Sequence, residues 1–269
     1  MTALLQRYLS AGVLTVWGIV LAYFYFTGRV GSYLHPAFHL WTAVSGVVLL
    51  IMALGLLVLP QEDHACCDHD HGPVRLRIFP ALVLIVPLLI ATVVSPSEFG
   101  ATAVANRGLV ESISDLPGYQ PFAEPPLPTE VGTVGPTETV PSSDYLPRNA
   151  AGQITAQTVD LLYAAQDPTM REDFEGKEVE LIGQFMPAKE KNPRGDRFNL
   201  IRMYVMCCAA DARPVAVSVQ TEKPGEHAEM SWVKVTGLAT FPTEGGRRIP
   251  VLMAKSIEAC DPPEESFIY

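Results

Sequence analysis

The run AFHLWTAVSGVVLLIMALGLLVL occupies residues 37–59 and contains no Lys, Arg, Asp or Glu. A helix needs about 20 apolar residues to cross the hydrocarbon core of a bilayer, so this run is long enough to span a membrane by itself. A surface helix of a globular protein would carry charged residues on one face, and this run has none. The stretch therefore predicts a membrane protein.

Two further apolar runs flank this one. YLSAGVLTVWGIVLAYFYFTG lies between Arg7 and Arg29, and IFPALVLIVPLLIATVV lies between Arg77 and Glu98. The first meets the spanning length comfortably and the second just reaches it. The aromatic end of the first, AYFYF, is typical of a membrane interface and argues against a cleaved signal peptide. We predict a membrane domain over residues 1–95, with three transmembrane helices at about 8–27, 37–59 and 78–94.

Basic residues near the ends of these runs predict the orientation. With the N-terminus in the cytoplasm, Arg7, Arg75 and Arg77 lie inside, and Arg29 and Arg107 lie outside. This small bias places the loop of residues 61–77 in the cytoplasm. It places everything after the third run outside the cytoplasm.

Residues 96–153 are predicted to form a flexible linker. The segment LPGYQPFAEPPLPTEVGTVGPTETVPSSDYLP, residues 116–147, is rich in Pro, Thr and Glu and has no basic residue. Such a composition buries too little apolar surface to offset the entropy of ordering, and its prolines favour an extended chain. The linker would hold a folded domain away from the bilayer. A long loop packed on that domain is the alternative.

Residues 154–269 are predicted to form a small extracytoplasmic β domain. A helical pattern comes first, in ITAQTVDLLYAAQDP, and five strand-like runs follow: KEVELIGQF, RFNLIRMYVMCC, PVAVSVQ, SWVKVTGLATF and RIPVLMAKSIEAC. Five short strands favour an OB-like barrel, with a β-sandwich as the alternative. Gly183 and Gly237 fall inside strand patterns, where bulges bend a barrel wall. The predicted fold class is therefore membrane helices plus all-β.

The charge balance excludes one class of partner. Many OB barrels bind nucleic acid, but the 269-residue chain has a formal net charge of -10. Phosphate binding needs clustered Lys and Arg, so we expect no nucleic-acid partner.

The segment HACCDHDHG, residues 64–72, concentrates metal ligands on the loop between the second and third runs. It holds five imidazole or thiolate donors, which are His64, Cys66, Cys67, His69 and His71, and the carboxylates of Asp68 and Asp70. Such donors suit Zn²⁺ or another soft metal ion. Because the spacing is tight and no rigid element holds it, an ion would bind transiently. A solvated polar loop and a redox role are the alternatives.

A second thiol site is predicted in MCCAAD, with Cys207, Cys208 and Asp211, and with Cys260 at the end of the last strand. Neighbouring side chains on a strand point to opposite faces, so the pair can chelate one ion only where the strand has turned. A disulfide to Cys260, a soft-metal thiolate site and buried unpaired cysteines all remain open.

His35 and His39 share a helix face, and interfacial hydrogen bonding is the preferred interpretation over a second ion site.

Four segments together carry a family resemblance: YLHPAF, the His/Cys loop, FEGKEVELIGQF, and YVMCCAADARPV followed by WVKVTG. They resemble the YcgQ-type family of permease subunits, over most of the chain. The resemblance implies a multi-pass protein of the bacterial plasma membrane, paired with a polytopic permease of the YraQ/YcgR type. That permease class is associated with export of soft toxic species such as trivalent arsenicals. The His-rich loop is shorter here than in the most His-rich relatives, which weakens the idea of a high-capacity metal buffer.

These observations predict an accessory, non-catalytic subunit of a membrane permease system for a metal or other soft ion. Its partners would be the permease and the lipid bilayer. A structural assembly subunit without substrate contact and a thiol-active extracytoplasmic protein are the alternatives. An enzyme is not expected, because His227 is the only histidine of the C-terminal domain and the sequence has neither a C-x-x-C motif nor an arrangement typical of a catalytic triad.

Overall fold

A computed structural model describes residues 2–59, 74–94, 99–116, 145–188, 192–222 and 227–269. The chain divides into two compact units. The first comprises residues 1–98 together with 207–210, and the second comprises residues 99–206 and 211–269. The five donors of the predicted His/Cys loop, which are His64, Cys66, Cys67, His69 and His71, lie outside the described residues, whereas residues 74–77 of that loop belong to a helix.

The first unit is built from three helices: α1 (Thr2–Phe26), α2 (His39–Val58) and α3 (Val74–Val94). The backbones of α1 and α2 approach closely at two glycines, since a Cβ added to Gly46 would lie 3.1 Å from the carbonyl oxygen of Gly18. Small residues at such crossings let membrane helices pack tightly. Arg7 donates to the carbonyl oxygens of Leu56 and Leu59 at the end of α2, where backbone acceptors lack helical partners.

Two of these helices are long and apolar enough to cross a bilayer, over Gln6–Phe26 and Pro36–Val58. Their outer surfaces carry large apolar side chains, and Leu40, Trp41 and Ile51 are each 63–65% exposed. Such a surface is consistent with membrane insertion, because lipid rather than water can cover it. In α3 the apolar stretch is the shorter Phe79–Val93. The first two runs are confirmed as helices long and apolar enough to span a membrane, and a third span stays a prediction.

The second unit is a barrel-like sheet with short helices. The helices are α4 (Ala101–Arg107), α5 (Thr158–Gln166) and α6 (Pro168–Phe174). The long strands are β2 (Glu178–Pro187), β3 (Arg197–Tyr204), β4 (Arg213–Gln220), β5 (Trp232–Thr240) and β8 (Val251–Ala259). The short strands are β1 (Ile154–Thr155), β6 (Thr243–Glu244), β7 (Arg247–Arg248) and β9 (Phe267–Ile268).

The five long strands close on themselves. The sheet order is β1-β2-β5-β8-β4-β3-β9, and β2 also pairs with β3. The pair β4–β8 is parallel, whereas the other four pairs of the ring are antiparallel. All five runs that the sequence predicts as strands are strands in this ring. The prediction of a C-terminal barrel is therefore confirmed at the level of a barrel-like sheet.

Side chains that point inward at alternate positions along the strands build the core of the second unit. Leu181, Leu200, Val217, Val235 and Leu252 are each 0% exposed and belong to one apolar cluster. Helix α5 adds Leu161 and Leu162 to the same cluster. Helix α5 ends just before Asp167. The carboxylate of Asp167 accepts from the backbone N–H of Thr169 and so begins α6.

Part of the segment predicted as linker belongs to this folded unit. Residues 99–116 form α4 and a short helical turn, and Val104 is 0% exposed. Both backbone polar groups of Val110 are hydrogen-bonded to β4. Its N–H donates to Pro214 O at 2.8 Å, and its carbonyl oxygen accepts from Ala216 N–H at 2.9 Å. The domain boundary therefore lies near Phe99 rather than at Ile154. Residues 117–144, the Pro-rich part, lie outside the described residues.

Arg202 ties the C-terminal end of the chain to the barrel. Its side chain is 7% exposed, and it donates to the carbonyl oxygens of Ile182, Glu265 and Phe267. The guanidinium also lies 5.3 Å from the ring centroid of Trp232. Burial lowers the pKa of Arg202 to about 10, so the side chain remains a cation at neutral pH.

We expect Arg202→Met to lower the free energy of unfolding by about 2 kcal/mol, because charged hydrogen bonds to buried carbonyls are lost. Arg194→Met is the matched control, since the Arg194 side chain is 69% exposed and forms a surface ion pair with Asp196. Chemical denaturation followed by circular dichroism measures both. Equal stability of the two variants would contradict the assigned role of Arg202.

Candidate functional site

The candidate site lies on the turn that joins β3 to β4. The turn is held at its entry by Val205 N–H, which donates to Ile268 O at 2.9 Å. Ala212, at its exit, is 1% exposed. Across the turn, Met206 N–H donates to Oδ1 of Asp211 at 3.0 Å. Asp side chains commonly bond a nearby backbone N–H in this way, and the bond closes the turn around the residues between them.

Cys207 and Cys208 lie inside this closed turn, with their Sγ atoms 3.7 Å apart. Cys207 is exposed and Cys208 is half-buried. The strand has already ended at Tyr204, so the rule that sends neighbouring side chains to opposite faces does not apply here. The pair can therefore contact a single ion.

A carboxylate oxygen of Asp211 completes a group of three metal-ligand atoms, all within 4.8 Å of one another. Two thiolates at adjacent corners of a tetrahedral Zn²⁺ site would lie about 3.8 Å apart, given a Zn–S bond of about 2.3 Å. Two thiolates on opposite sides of an ion at the same bond length would lie about 4.6 Å apart. The sulfur separation in the turn thus fits one edge of a tetrahedral site. Such a site would have three protein ligands and one open position.

The backbone of the two cysteines is also bonded within the first unit. His35 N–H donates to Cys207 O at 3.0 Å, and Ala209 N–H donates to Tyr33 O at 2.7 Å. An antiparallel bridge joins Leu34 to Cys208. These bonds involve backbone atoms and not the thiol sulfur atoms.

The predicted members of this site do not all come together. Cys207, Cys208 and Asp211 form the group, whereas Cys260 follows β8 and donates its N–H to Trp232 O at 3.1 Å. Burial raises the pKa of the Cys260 thiol. Within the described residues, no two cysteines form a disulfide.

The three histidines in the described part of the chain have local partners. Nδ1 of His35 accepts from Ala37 N–H at 3.1 Å, and Nε2 of His39 lies 3.0 Å from Leu34 O. His227 packs beside the ring of Phe185, with centroids 5.6 Å apart. None of the three belongs to the ligand group found among the described residues.

Sequence reasoning named the three members of the group but missed the backbone bonds around them. The bond from Met206 to Asp211 could have been found from the turn chemistry of Asp, which follows the pair at short range. The bonds from residues 33–35 had no sequence signal, because they join segments far apart in the chain.

Comparison with protein-family models gives two matches. Residues 9–110 match the DUF1980 N-terminal domain, and residues 157–269 match the DUF1980 C-terminal domain. A comparison with curated proteins found no match.

Proposed function

The chain belongs to the DUF1980 family through both of its domains, and we propose that it acts as an accessory, non-catalytic subunit of a membrane transport system for a soft or borderline metal ion. In this proposal the turn with Cys207, Cys208 and Asp211 is where the subunit handles the ion. The N-terminal helices anchor it in the bilayer, and a polytopic permease is its partner.

The observation that carries the proposal is the ligand group itself. Two thiols and a carboxylate oxygen lie within 4.8 Å on a turn where Cys207 is exposed. Thiolate ligands favour Zn²⁺ and softer ions over Mg²⁺ or Ca²⁺. Three ligands leave a coordination position open, and an open position lets a second protein take the ion. A closed site of four ligands suits a structural ion instead.

The proposed membrane topology has three spans. Arg29, just after α1, donates to Thr92 O near the end of α3. The ends of α1 and α3 are therefore close together, and this supports a third helix that crosses the same thickness of bilayer as the first. With the N-terminus inside, the barrel would then be extracytoplasmic and the His/Cys loop cytoplasmic. Potential metal ligands would then lie on both sides of the bilayer, in the His/Cys loop inside and in the turn with Cys207 and Cys208 outside. This arrangement suits a subunit that serves transport.

The barrel itself is proposed to be of the OB type. A ring of five strands with one parallel pair, β4–β8, supports this assignment. We do not extend the assignment to nucleic-acid binding, because the net charge is -10. In the proposed function the barrel is a rigid support for the turn that carries Cys207 and Cys208, which we call the thiol turn.

A metal-binding measurement tests the function. The full chain is purified in lipid nanodiscs, with the five His/Cys-loop donors replaced by Ala and Ser so that only the turn can contribute. We expect one Zn²⁺ or Cd²⁺ per chain, and a loss of affinity of at least roughly tenfold on Cys207→Ser/Cys208→Ser, as for the removal of metal ligands or their close supports. Equilibrium dialysis with elemental analysis measures both.

Cys260→Ser is the matched control, because it removes a thiol of the same domain that lies outside the ligand group. It should leave the affinity unchanged. Equal metal content in all three proteins would contradict the proposed site. It would favour a structural assembly subunit without substrate contact.

A further inference from the structure

A cavity in the second unit is a second candidate site, and residues 205–212 do not line it. A cavity of about 540 Å³ lies beside α4, over the outer surface of β3 and β4, and extends to the segment before β8. Cavities of roughly 300–1,000 Å³ are typical of small-molecule sites. The proposed metal function does not use this cavity.

The inner surface of the cavity is apolar and well packed. Val104 of α4 is 0% exposed and Ala216 of β4 is 2% exposed, and both line it. Leu109, Met186 and Ile249 extend the apolar lining. This lining suits a ligand with an apolar body, because such a ligand removes apolar surface from water.

Neutral polar groups lie on the strand side of the cavity. Asn199 of β3 and Ser218 of β4 are directly paired across the two strands, and both line the cavity. An amide and a hydroxyl both donate and accept hydrogen bonds, so they can orient a ligand of either charge. These two neutral groups do not by themselves discriminate between a cationic and an anionic ligand.

Among the residues that the structure describes, the charged lining is acidic on balance. Three carboxylates, those of Glu111, Glu229 and Glu244, line the cavity together with one guanidinium, that of Arg197. Arg197 donates to both oxygens of Glu244, at 2.9 and 3.1 Å, and also to Gln220. The cation is thus already held by the protein. An anionic ligand would meet a surplus of negative charge, and a cationic one would be attracted.

Glu229 is held at the cavity by a strained turn. Met230, the next residue, has φ 66, which is uncommon for a residue other than glycine. Its N–H donates to Phe185 O at 2.7 Å, and its carbonyl accepts from Gln184 at 3.3 Å. These bonds to β2 hold the backbone in the costly conformation. Strain of this kind concentrates at ligand sites.

We propose that this cavity binds a small organic cation with an apolar body, an amine-bearing ligand whose ammonium group is held by the lining carboxylates. The apolar lining takes the body of the ligand. Asn199 and Ser218 orient it by hydrogen bonding.

Three fluorinated probes of matched size test the proposal on the full chain in lipid nanodiscs. They are para-fluorophenethylammonium, the neutral para-fluorophenylethanol and the anionic para-fluorophenylpropionate. Binding is followed by fluorine NMR line broadening, with empty nanodiscs as the correction for partitioning into lipid. We expect the cation to bind and the anion not to bind, with the neutral probe in between.

Two variants locate the site. Glu229→Gln should weaken binding of the cation by about tenfold, as expected for the loss of one charged hydrogen bond. Ser218→Trp should abolish binding of all three probes by filling the cavity. Glu258→Gln is the control, because this exposed glutamate pairs with Lys234 on the surface and does not line the cavity.

Thermal melts establish that each variant is folded before binding is compared. Equal binding of the three probes to the protein would overturn the proposal. So would cation binding that Glu229→Gln and Ser218→Trp leave unchanged.

Discussion

A soluble fragment that begins at Ile154 is expected to lose the cooperative unfolding that a fragment beginning at Phe99 shows. The shorter fragment lacks the buried apolar side chains of Val104, Val110, Ile113 and Leu116, which are 0–6% exposed. Burying one such side chain contributes about 1.5–3 kcal/mol. The loss of about 6 kcal/mol or more is comparable with the whole stability of a typical domain, about 5–15 kcal/mol.

The backbone hydrogen bonds of this segment lead to the same expectation. Val110 bonds to Pro214 and Ala216 of β4, so its removal exposes a stretch of strand backbone as well as the apolar surface under α4. An open strand edge with apolar neighbours also favours aggregation. We expect the fragment from Ile154 to be poorly soluble.

Circular dichroism melts of the two fragments measure the effect. Addition of a synthetic peptide of residues 99–116 to the shorter fragment is the control, and it should restore part of the lost stability. Melts that coincide for the two fragments would show that the segment is dispensable and that the domain begins at Ile154 after all.

Gly237→Ala is expected to lower the free energy of unfolding of the barrel by about 3 kcal/mol or more, through overpacking that cannot relax. Gly237 lies in β5 where the register with β8 shifts, between Thr236 and Gly237. A Cβ at this position would lie 2.3 Å from Met253 O and 2.8 Å from Met253 C. Both atoms are backbone atoms of the neighbouring strand, so relief requires the two strands to separate.

Gly100→Ala is the matched control, because a Cβ there meets nothing within 4 Å and its φ is -80. Gly183→Ala should fall between the two, since a Cβ there would lie 2.8 Å from a side-chain atom of Leu200 and 2.9 Å from the carbonyl oxygen of Ile201, which are both less severe approaches than the one at Gly237. Trp232, on β5 itself, reports unfolding by fluorescence in the fragment from Phe99. A Gly237→Ala variant as stable as Gly100→Ala would contradict the close approach of β5 and β8.

The two glycines show how far pattern reasoning reaches. Both stand out in the sequence as breaks in a strand pattern, and the pairing register shifts at Gly237, where Lys255 of the facing strand β8 is the extra residue. Gly183 pairs in regular register with Val233 and is instead required by the approach of the Leu200 side chain and the Ile201 carbonyl oxygen. Sequence can mark a position where a side chain is missing, but only the packing shows which neighbour requires its absence.

The candidate site was predictable to a similar extent. The adjacent cysteines and the acidic residue after them are visible in MCCAAD, and the chemistry of thiols toward soft ions follows from residue type. Whether they act together depends on where β3 ends. That end at Tyr204 is four residues earlier than the strand-like run suggests, because Asp211 bonds Met206 and turns the chain.

By itself, the sequence determined the local features of this protein. Charge-free runs specify membrane helices because hydrocarbon excludes charged groups, and alternating runs specify strands because successive side chains face opposite sides. The tertiary structure alone decided the features that depend on distant partners. Closure of the barrel, the membership of residues 99–116 in its core and the separation of Cys260 from the thiol pair all depend on contacts between segments far apart in the chain. Local residue patterns carry no record of which distant surface a segment buries, so these features appear only when the chain is folded.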